Sequence, residues 1–185
     1  MAEYHMLPHI REHSFRVREV AVWLGEHLLQ AGFALHLPLI EVGALLHDLG
    51  KTPCLGTGEN HADWGARVLE DKGYPEVAEI VRQHIFLDPA RIACHPFGEA
   101  EIVNYADKRV LHTQVVTLKE RFTDLKKRYG QNHPDRLARI RAAELLARAL
   151  EARLFQPLTV TPFDLLQLNG PRGQLLMGQW DTHKA

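Results

Sequence analysis

The hydrophobic pattern has helical spacing along most of the chain, and it predicts an all-α fold. Pro8 can open the first helix and Gly32 closes it, and between them lies one apolar stripe, formed by Val17, Ala21, Leu24 and Leu28. After Pro38, residues 39–46 are apolar on nearly every side of a helix that we expect to end at Gly50. Such a helix is predicted to lie in the middle of the core. No segment indicates a strand or a hairpin.

Caps and helix breakers predict the remaining helices. Asn60 is a suitable N-cap, Gly73 interrupts the helical pattern, and prolines stand where two later helices are expected to begin. The predicted spans are 61–71, 75–84, 99–119 with an extension toward 130, and 134–154, followed by a short helical signal at 161–164. Residues 88–98 and 170–178 are predicted to be irregular. We expect residues 1–130 to form the main domain and residues 131–185 to form a helical extension packed against it.

Composition narrows the functional class. The chain has 185 residues, 45% of them hydrophobic and 24% charged, with a formal net charge of −1, which is typical of one soluble domain. No basic block is present, so dedicated nucleic-acid binding is not expected. The longest apolar run, Leu37 to Leu46, is too short to span a bilayer. The N-terminus lacks a secretory signal and two cysteines make no disulfide framework, so we expect a cytoplasmic protein.

The His47-Asp48 pair is the first candidate for chemistry. Both residues fall at the C-terminal end of the most apolar helix, where ionisable groups are costly to bury unless they are paired or bind a metal. The partial negative charge of a helix C-terminus also favours a bound cation. The dipeptide is weak evidence by itself, because a chain with twelve histidines can contain it by chance. A capping histidine beside a solvated aspartate is the alternative interpretation.

Four further residues favour the metal interpretation, because each falls on the inward face of a different predicted helix. His13 lies on the apolar stripe of the first helix, and His61 stands four residues before Gly65, which leaves room for close approach. His84 lies on the apolar face of its helix, and Asp107 lies within an apolar stripe. Each residue alone is more often a satisfied polar group. Their coincidence on separate helices predicts a metal site.

In this order and spacing, the residues resemble the HD-domain superfamily. The pattern comprises His13 followed by Val17 and Ala21, then His47-Asp48-Leu49-Gly50-Lys51, then His61 followed by Gly65, then His84, then Ala106-Asp107-Lys108. It is similar to the HDIG-type metal-dependent phosphohydrolases over about residues 9–120, with Leu49 where many relatives have isoleucine. The resemblance implies a compact HD-domain helical bundle with additional C-terminal helices.

The resemblance also implies a two-metal site. It divides the ligands between two ions, the first bound by His13, His47, Asp48 and Asp107 and the second by His61 and His84, with Asp48 bridging. His9 lies one turn before His13 and could compete with it, but His9 lacks the apolar partners at the matching positions, so His13 is preferred. Four imidazoles and two carboxylates without a thiolate favour Fe, Mn, Ni, Co or Zn as divalent ions, with Mg as an alternative.

Hydrolysis of a phosphate mono- or diester, in a small phosphorylated molecule such as a nucleotide, is the leading functional prediction. A dinuclear centre can hold a bridging hydroxide and polarise a phosphoryl oxygen. Lys51 follows the site directly and can neutralise a phosphate. Asp48 and Lys51 are therefore the predicted catalytic residues. Two alternatives remain open, namely a mixed-valent di-iron oxygenase of the HD superfamily and a non-catalytic nucleotide-sensing module.

Other charged residues near the predicted ligands are interpreted as surface charge. They are Arg16, Arg67, Lys108 and Arg109, and the charged stretch 119–128 is interpreted in the same way. Among the remaining histidines, His112 could orient a ligand from beyond Asp107, and His95 could lie at the rim of a pocket.

Overall fold

A bundle of α-helices with one short β-hairpin makes up the described part of the chain, which comprises residues 1–90, 97–131 and 133–170 of the computed structural model. The helices are α1 (Pro8–Gln30), α2 (Leu37–Leu46), α3 (His61–Asp71), α4 (Pro75–Gln83), α5 (Glu99–Lys108), α6 (Leu118–Leu125) and α7 (Pro134–Phe155). Antiparallel strands β1 (Val110–Leu111) and β2 (Gln114–Val115) lie between α5 and α6. A π-helical turn (Lys126–Gly130) follows α6, and a 3-10 helix (Asp164–Asn169) follows α7. The all-α prediction is confirmed.

The helices begin where the sequence supplies capping or ring-constrained residues. Proline stands in the first turn of α1, α2, α4 and α7, where its missing amide hydrogen costs nothing. The Asn60 side chain accepts a hydrogen bond from the Ala62 amide at 3.0 Å and caps α3. The predicted bounds of α3, α4 and α7 agree with the observed ones to about one residue.

The most buried of the described helices is α5 rather than α2, contrary to the prediction. In α2 the buried residues are Ile40, Gly43 and Ala44, whereas Val42 is 40% exposed. Every residue of α5 except Glu99 is buried, because α5 packs against α1, α2, α4 and α7. The apolar residues of α2 predicted that it would be buried, but the burial of a helix depends on how many other elements pack around it. α2 also ends before the expected Gly50, so that His47 and Asp48 begin a turn.

The prediction of a single helix over 99–119 is wrong. α5 ends at Lys108 and the hairpin follows, with His112 near its tip at a positive φ of 56°. The β-branched residues of the hairpin favour extended backbone. Thr117 and Glu120 then form a capping box that begins α6. Both signals are visible in the sequence, but the helical spacing of apolar residues on either side obscures them.

Two apolar clusters form the core, and the His47-Asp48 turn lies between them. The larger cluster includes Ala44 near the end of α2, together with residues of α1, α5 and α7. The smaller cluster includes Leu49 and residues of α3 and α4. Because Ala44 belongs to one cluster and Leu49 to the other, apolar packing holds the intervening turn from both sides.

Arg109 ties the hairpin, α7 and the C-terminal segment to the end of α5. Its side chain is 1% exposed and donates to the Val116 carbonyl at 2.7 Å and to the Pro162 carbonyl at 2.8 Å. It also donates to the hydroxyl of Tyr105 and pairs with Glu151 of α7 at 3.3 Å. The interpretation of Arg109 as surface charge is therefore wrong, since acceptors from separate segments surround it.

Helix α7 shares the larger cluster with the N-terminal helices through Ala147, Leu150 and Leu154. Arg16 of α1 is buried rather than a surface charge, because it pairs with Glu19 and donates to the Leu168 carbonyl at 2.9 Å. The division of the chain at residue 130 stays a prediction. Residues 132 and 171–185 lie outside the described part, as does most of the predicted irregular segment 88–98. None of the described helices is long and apolar enough to cross a membrane.

Candidate metal centre

The structure brings all six predicted ligands together from separate elements. They come from α1, the turn after α2, the start of α3, the residue after α4, and α5. Their ligand atoms form two groups, within each of which all three atoms lie within 4.8 Å of one another. Site A consists of His13, His47 and Asp107, and site B consists of Asp48, His61 and His84. Binding of an ion at each site stays a prediction.

Site A is a buried arrangement of two imidazoles and one carboxylate. His13 Nε2 lies 3.1 Å from Asp107 Oδ1, and His47 Nε2 lies 3.9 Å from the same oxygen. Relative exposure is 8% for His13, 0% for His47 and 9% for Asp107. Two nitrogens and an anionic oxygen therefore face a common point away from bulk water, where a cation is favoured.

Site B has the same composition and is more open on one side. His61 Nε2 lies 3.2 Å from Asp48 Oδ1, and His84 Nε2 lies 3.6 Å from that oxygen. The two imidazole Nε2 atoms are 3.2 Å apart. The side chain of His61 is 25% exposed, whereas His84 and Asp48 are buried. Solvent can therefore reach site B on the side where His61 lies.

Asp48 connects the two sites through its two oxygens. Oδ1 faces the histidines of site B, whereas Oδ2 lies 3.4 Å from Nε2 of His47 in site A. Oδ2 also accepts a hydrogen bond from Nζ of Lys51 at 2.8 Å. This geometry supports the predicted bridging role of Asp48, because one carboxylate can contact an ion in each site.

Backbone carbonyls orient three of the histidines. Assigning the proton to Nδ1, His47 donates to the Ala44 carbonyl at 2.7 Å and His84 donates to the Val81 carbonyl at 2.6 Å. His13 Nδ1 contacts the His112 carbonyl at 2.9 Å. These contacts leave Nε2 as the free electron-pair donor toward the site.

The buried Nε2 atom of His47 provides a direct test of whether metal ions fit. It has no hydrogen-bond partner, although an unpaired polar atom at this depth is costly. A cation at site A would satisfy it. The set of imidazole and carboxylate donors, with every imidazole presenting Nε2, suits first-row divalent ions. The residues present therefore fit the metals that the sequence predicted.

The ionisation of Asp48, Asp107 and His84 also suits metal binding, whereas the effect of burial on the pKa of His47 is outweighed by Asp48, which raises that pKa. Burial alone would raise the pKa of Asp48, but the nearby histidines, His47 first, hold it well below its usual range. Burial would also raise the pKa of Asp107, but nearby cations, Lys108 first, hold that pKa well below its usual range. Burial lowers the pKa of His84 to about 4, so this imidazole is neutral at pH 7, which is the form that binds metals.

Of the flanking cations, Lys51 and Lys108 contact the centre. Lys108 donates to Asp107 Oδ2 at 2.9 Å and to the His84 carbonyl at 2.6 Å, so its interpretation as surface charge is wrong. Arg67 is exposed and pairs with Glu59, as expected of a surface charge.

Two features of the centre were not predicted. Arg121 lies 3.8 Å from Asp107 Oδ1 with 14% of its side chain exposed, so the interpretation of 119–128 as solvated surface fails at this residue. Arg121 shares a helix face with Leu118 and Leu125, and that spacing is visible in the sequence. His112 does orient His13, but through its backbone carbonyl rather than its imidazole.

A cleft of about 870 Å³ opens onto the centre and continues toward α6 and α7. Lys51 lines the cleft, and so do five residues of sites A and B, namely His13, Asp48, His61, His84 and Asp107. Exposed His9 also lines the cleft without joining either site. His95, predicted at a pocket rim, lies outside the described residues. The size of the cleft is suited to a small molecule.

Gly50 allows α3 to approach the turn that carries Asp48, and this close contact gives a testable prediction. A methyl group at Gly50 would lie 2.3 Å from the His61 carbonyl oxygen. We expect Gly50→Ala to lower the free energy of unfolding by about 2–3 kcal/mol. We also expect it to weaken metal binding at site B, because His61 must move away from Asp48. Urea unfolding and metal titration would measure the two effects.

Gly65→Ala is the matched control, because the nearest atom to its methyl group would be a side-chain methyl of Val81 at 3.2 Å. The nearest backbone atom, the Gly50 amide nitrogen, would lie at an ordinary van der Waals distance of 3.5 Å. It should cost less stability and leave metal binding nearly intact. Equal losses in the two variants would show that Gly50 has no particular role in placing His61.

Comparison with known proteins places this geometry in a family. The HD domain family matches residues 10–149, a range that contains all six residues of the centre. A protein of Methanocaldococcus jannaschii, described as uncharacterized, is 29% identical over 135 residues, which cover 66% of this chain and 79% of that protein. No solved structure matches this chain. Because the family match covers well over half of the sequence and the metal centre within it, this chain belongs to the HD domain family.

Proposed function

We propose that this protein is a metal-dependent phosphohydrolase that cleaves a phosphate mono- or diester of a small, nucleotide-like molecule. The observation that carries the proposal is the position of Asp48, whose two oxygens face sites A and B while Lys51 contacts one of them at the cleft. The HD domain family consists generally of metal-dependent phosphohydrolases, which supports the same reaction class.

Metal ions would be held by the six residues of sites A and B. When bound, they supply Lewis acidity to a phosphoryl oxygen and acidify water. The protein's own contribution is preorganisation. Ionised Asp48 and Asp107 provide negative charge, and backbone carbonyls fix the rings of His13, His47 and His84 before any ligand arrives.

Lys51 is the residue proposed to contact the substrate phosphate. Its side chain is 45% exposed and lines the cleft, and its Nζ lies beside Asp48. The effect of burial on the pKa of Lys51 is outweighed by Asp48, which raises that pKa. Lys51 is therefore cationic at neutral pH and acts as a point charge for an incoming phosphate.

The cleft and the overall charge support a small substrate. A cleft of about 870 Å³ is within the range of small-molecule sites. The chain has a formal net charge of −1, which does not favour binding of a long polyanion. We therefore propose a free phosphoester in the cytoplasm, rather than a nucleic acid or a membrane lipid, as the substrate.

The proposal is tested with protein reconstituted separately with Mn, Fe, Co, Ni or Zn. The assay panel contains aryl phosphate mono- and diesters and common nucleotides. We expect hydrolysis that requires added metal, and we expect Lys51→Met to lower kcat/KM by about 10- to 100-fold through loss of phosphate binding. Arg67→Met, a surface cation paired with Glu59, is the control and should be unchanged. Inertness toward the whole panel with every metal, or oxygen consumption by the iron form instead of hydrolysis, would overturn the proposal.

A further inference from the structure

The cleft is lined beyond the metal centre by a second set of cations. They lie on α6, the π-helical turn and α7, and comprise Arg121, Arg128, Arg136 and Arg139. Sites A and B use residues of the N-terminal helices and α5, so these arginines come from a different part of the fold. The only carboxylate that lines the cleft outside the centre, among the described residues, is Glu12 of α1.

Two of these arginines carry charge that the described protein does not neutralise. Arg128 pairs with Asp124, and Arg121 lies beside Asp107. Arg136 and Arg139 form no ion pair with any described carboxylate, although the chain has more acidic than basic residues. They stand three residues apart on α7 and therefore share one helix face, where like charges destabilise each other. An anion in the cleft would relieve that repulsion.

Apolar and aromatic surface lies in the cleft together with these cations. Phe86 is 59% exposed and Tyr129 is 48% exposed, and both line the cleft. Arg139 and Phe86 also line a smaller adjoining cavity of about 180 Å³ with Leu146. Exposed aromatic rings in a concave site are typical of ligand contact. A ligand that spans the cleft would therefore meet apolar surface as well as Arg136 and Arg139.

We propose that Arg136 and Arg139 bind a second anionic group of the substrate, a further phosphate or a carboxylate, while the reacting phosphoester occupies the metal centre. The inference rests on the proposed function and names its substrate class, a phosphoester with another anionic group at a distance. Guanidinium groups suit this role because their planar donors match phosphate and carboxylate oxygens in pairs. Lys51, a point charge, serves the reacting phosphate.

The test measures binding by isothermal titration calorimetry, using straight-chain α,ω-bisphosphonates and alkyl monophosphonates of matching length with the metal-loaded protein. These probes are not hydrolysed. We expect a bisphosphonate of suitable length to bind at least about ten-fold more tightly than its monophosphonate. Arg136→Gln and Arg139→Gln should each remove most of that advantage and affect the monophosphonate much less. An ω-carboxyalkyl phosphonate of the same length shows whether a carboxylate serves as well as a phosphate.

Arg141→Gln is the matched control. Arg141 is also an exposed arginine of α7, but it does not line the cleft. It follows Arg139 by two residues, which corresponds to a rotation of about 200° around the helix axis, so its side chain lies on the opposite face. It should retain the full bisphosphonate advantage. The absence of an advantage at every chain length, or an equal loss in Arg141→Gln and Arg139→Gln, would overturn the inference.

The inference and the proposed function fail in different ways. Phosphoester hydrolysis without any bisphosphonate advantage would overturn the second anion site and leave the phosphohydrolase proposal standing. If the bisphosphonate binds more tightly than the monophosphonate only when Arg139 is present, but the protein hydrolyses no phosphoester, the second anion site is supported and the phosphohydrolase proposal is overturned.

Discussion

Asp48→Asn is expected to lower metal content from about two ions per chain to less than one and to reduce phosphoester hydrolysis by about 1,000-fold. Asparagine keeps the shape of the side chain but removes its charge and replaces one oxygen with an NH₂ group. Because the two oxygens face sites A and B, this change affects both sites at once. Loss of several kcal/mol of charge stabilisation accounts for the rate effect. Elemental analysis of protein purified without chelators or a metal-affinity tag measures the metal content.

Asp63→Asn is the control for this experiment. Asp63 lies in the first turn of α3, close in sequence to His61, but it is exposed and belongs to neither site. Its metal content and activity should match those of the unaltered protein. Retention of one full ion by Asp48→Asn would show that Asp48 does not bridge. An unaltered protein with one ion, unaffected by His61→Ala or His84→Ala, would reduce the centre to a single metal at site A.

Arg109→Met is expected to have the largest effect on stability, lowering the free energy of unfolding by about 3 kcal/mol. Methionine retains much of the side-chain volume but donates to none of the partners of Arg109. The carbonyls of Val116 and Pro162 lose their donor, and Glu151 loses its cation. Glu151 is 23% exposed and is therefore partly solvated. We therefore expect a loss of stability near the lower end of the range for breaking a buried ion pair. Urea unfolding would show a lower midpoint with an unchanged slope.

Arg148→Met provides the comparison for Arg109→Met. Arg148 pairs with Glu144 on the surface of α7, with 49% of its side chain exposed, and such a pair contributes little. Its removal should change stability by less than about 0.5 kcal/mol. Similar losses in both variants would mean that the buried contacts of Arg109 contribute no more than a surface ion pair.

The stability of the hairpin and the geometry of the centre are physically linked. Arg109 donates to the Val116 carbonyl directly after β2, and the hairpin tip presents the His112 carbonyl to His13. The same residues that attach α7 and the C-terminal segment therefore help to orient a ligand of site A. Through the hairpin, His13 of site A is therefore connected to α7 and to the C-terminal segment.

The helices that the sequence predicted well are those with local signals. Asn60 caps α3, prolines open α1, α4 and α7, and these choices depend on backbone chemistry within one turn. The hairpin after α5 was missed because its strands have two residues each, too short for alternation to compete with the flanking helical spacing. The depth of α5 was missed because burial depends on neighbours from distant parts of the chain.

By itself, the sequence determined the helical fold and the six residues of the centre. Helical periodicity places His13, His61, His84 and Asp107 on inward faces, and the resemblance to HD domains joins them to His47 and Asp48. Only the tertiary structure decided that Asp48 faces two sites, that a hairpin carbonyl orients His13, and that arginines of α7 line the same cleft. The physical reason is that periodicity specifies which face of an element is buried. Distances between elements, and the direction of each carboxylate oxygen, arise from packing among segments far apart in sequence.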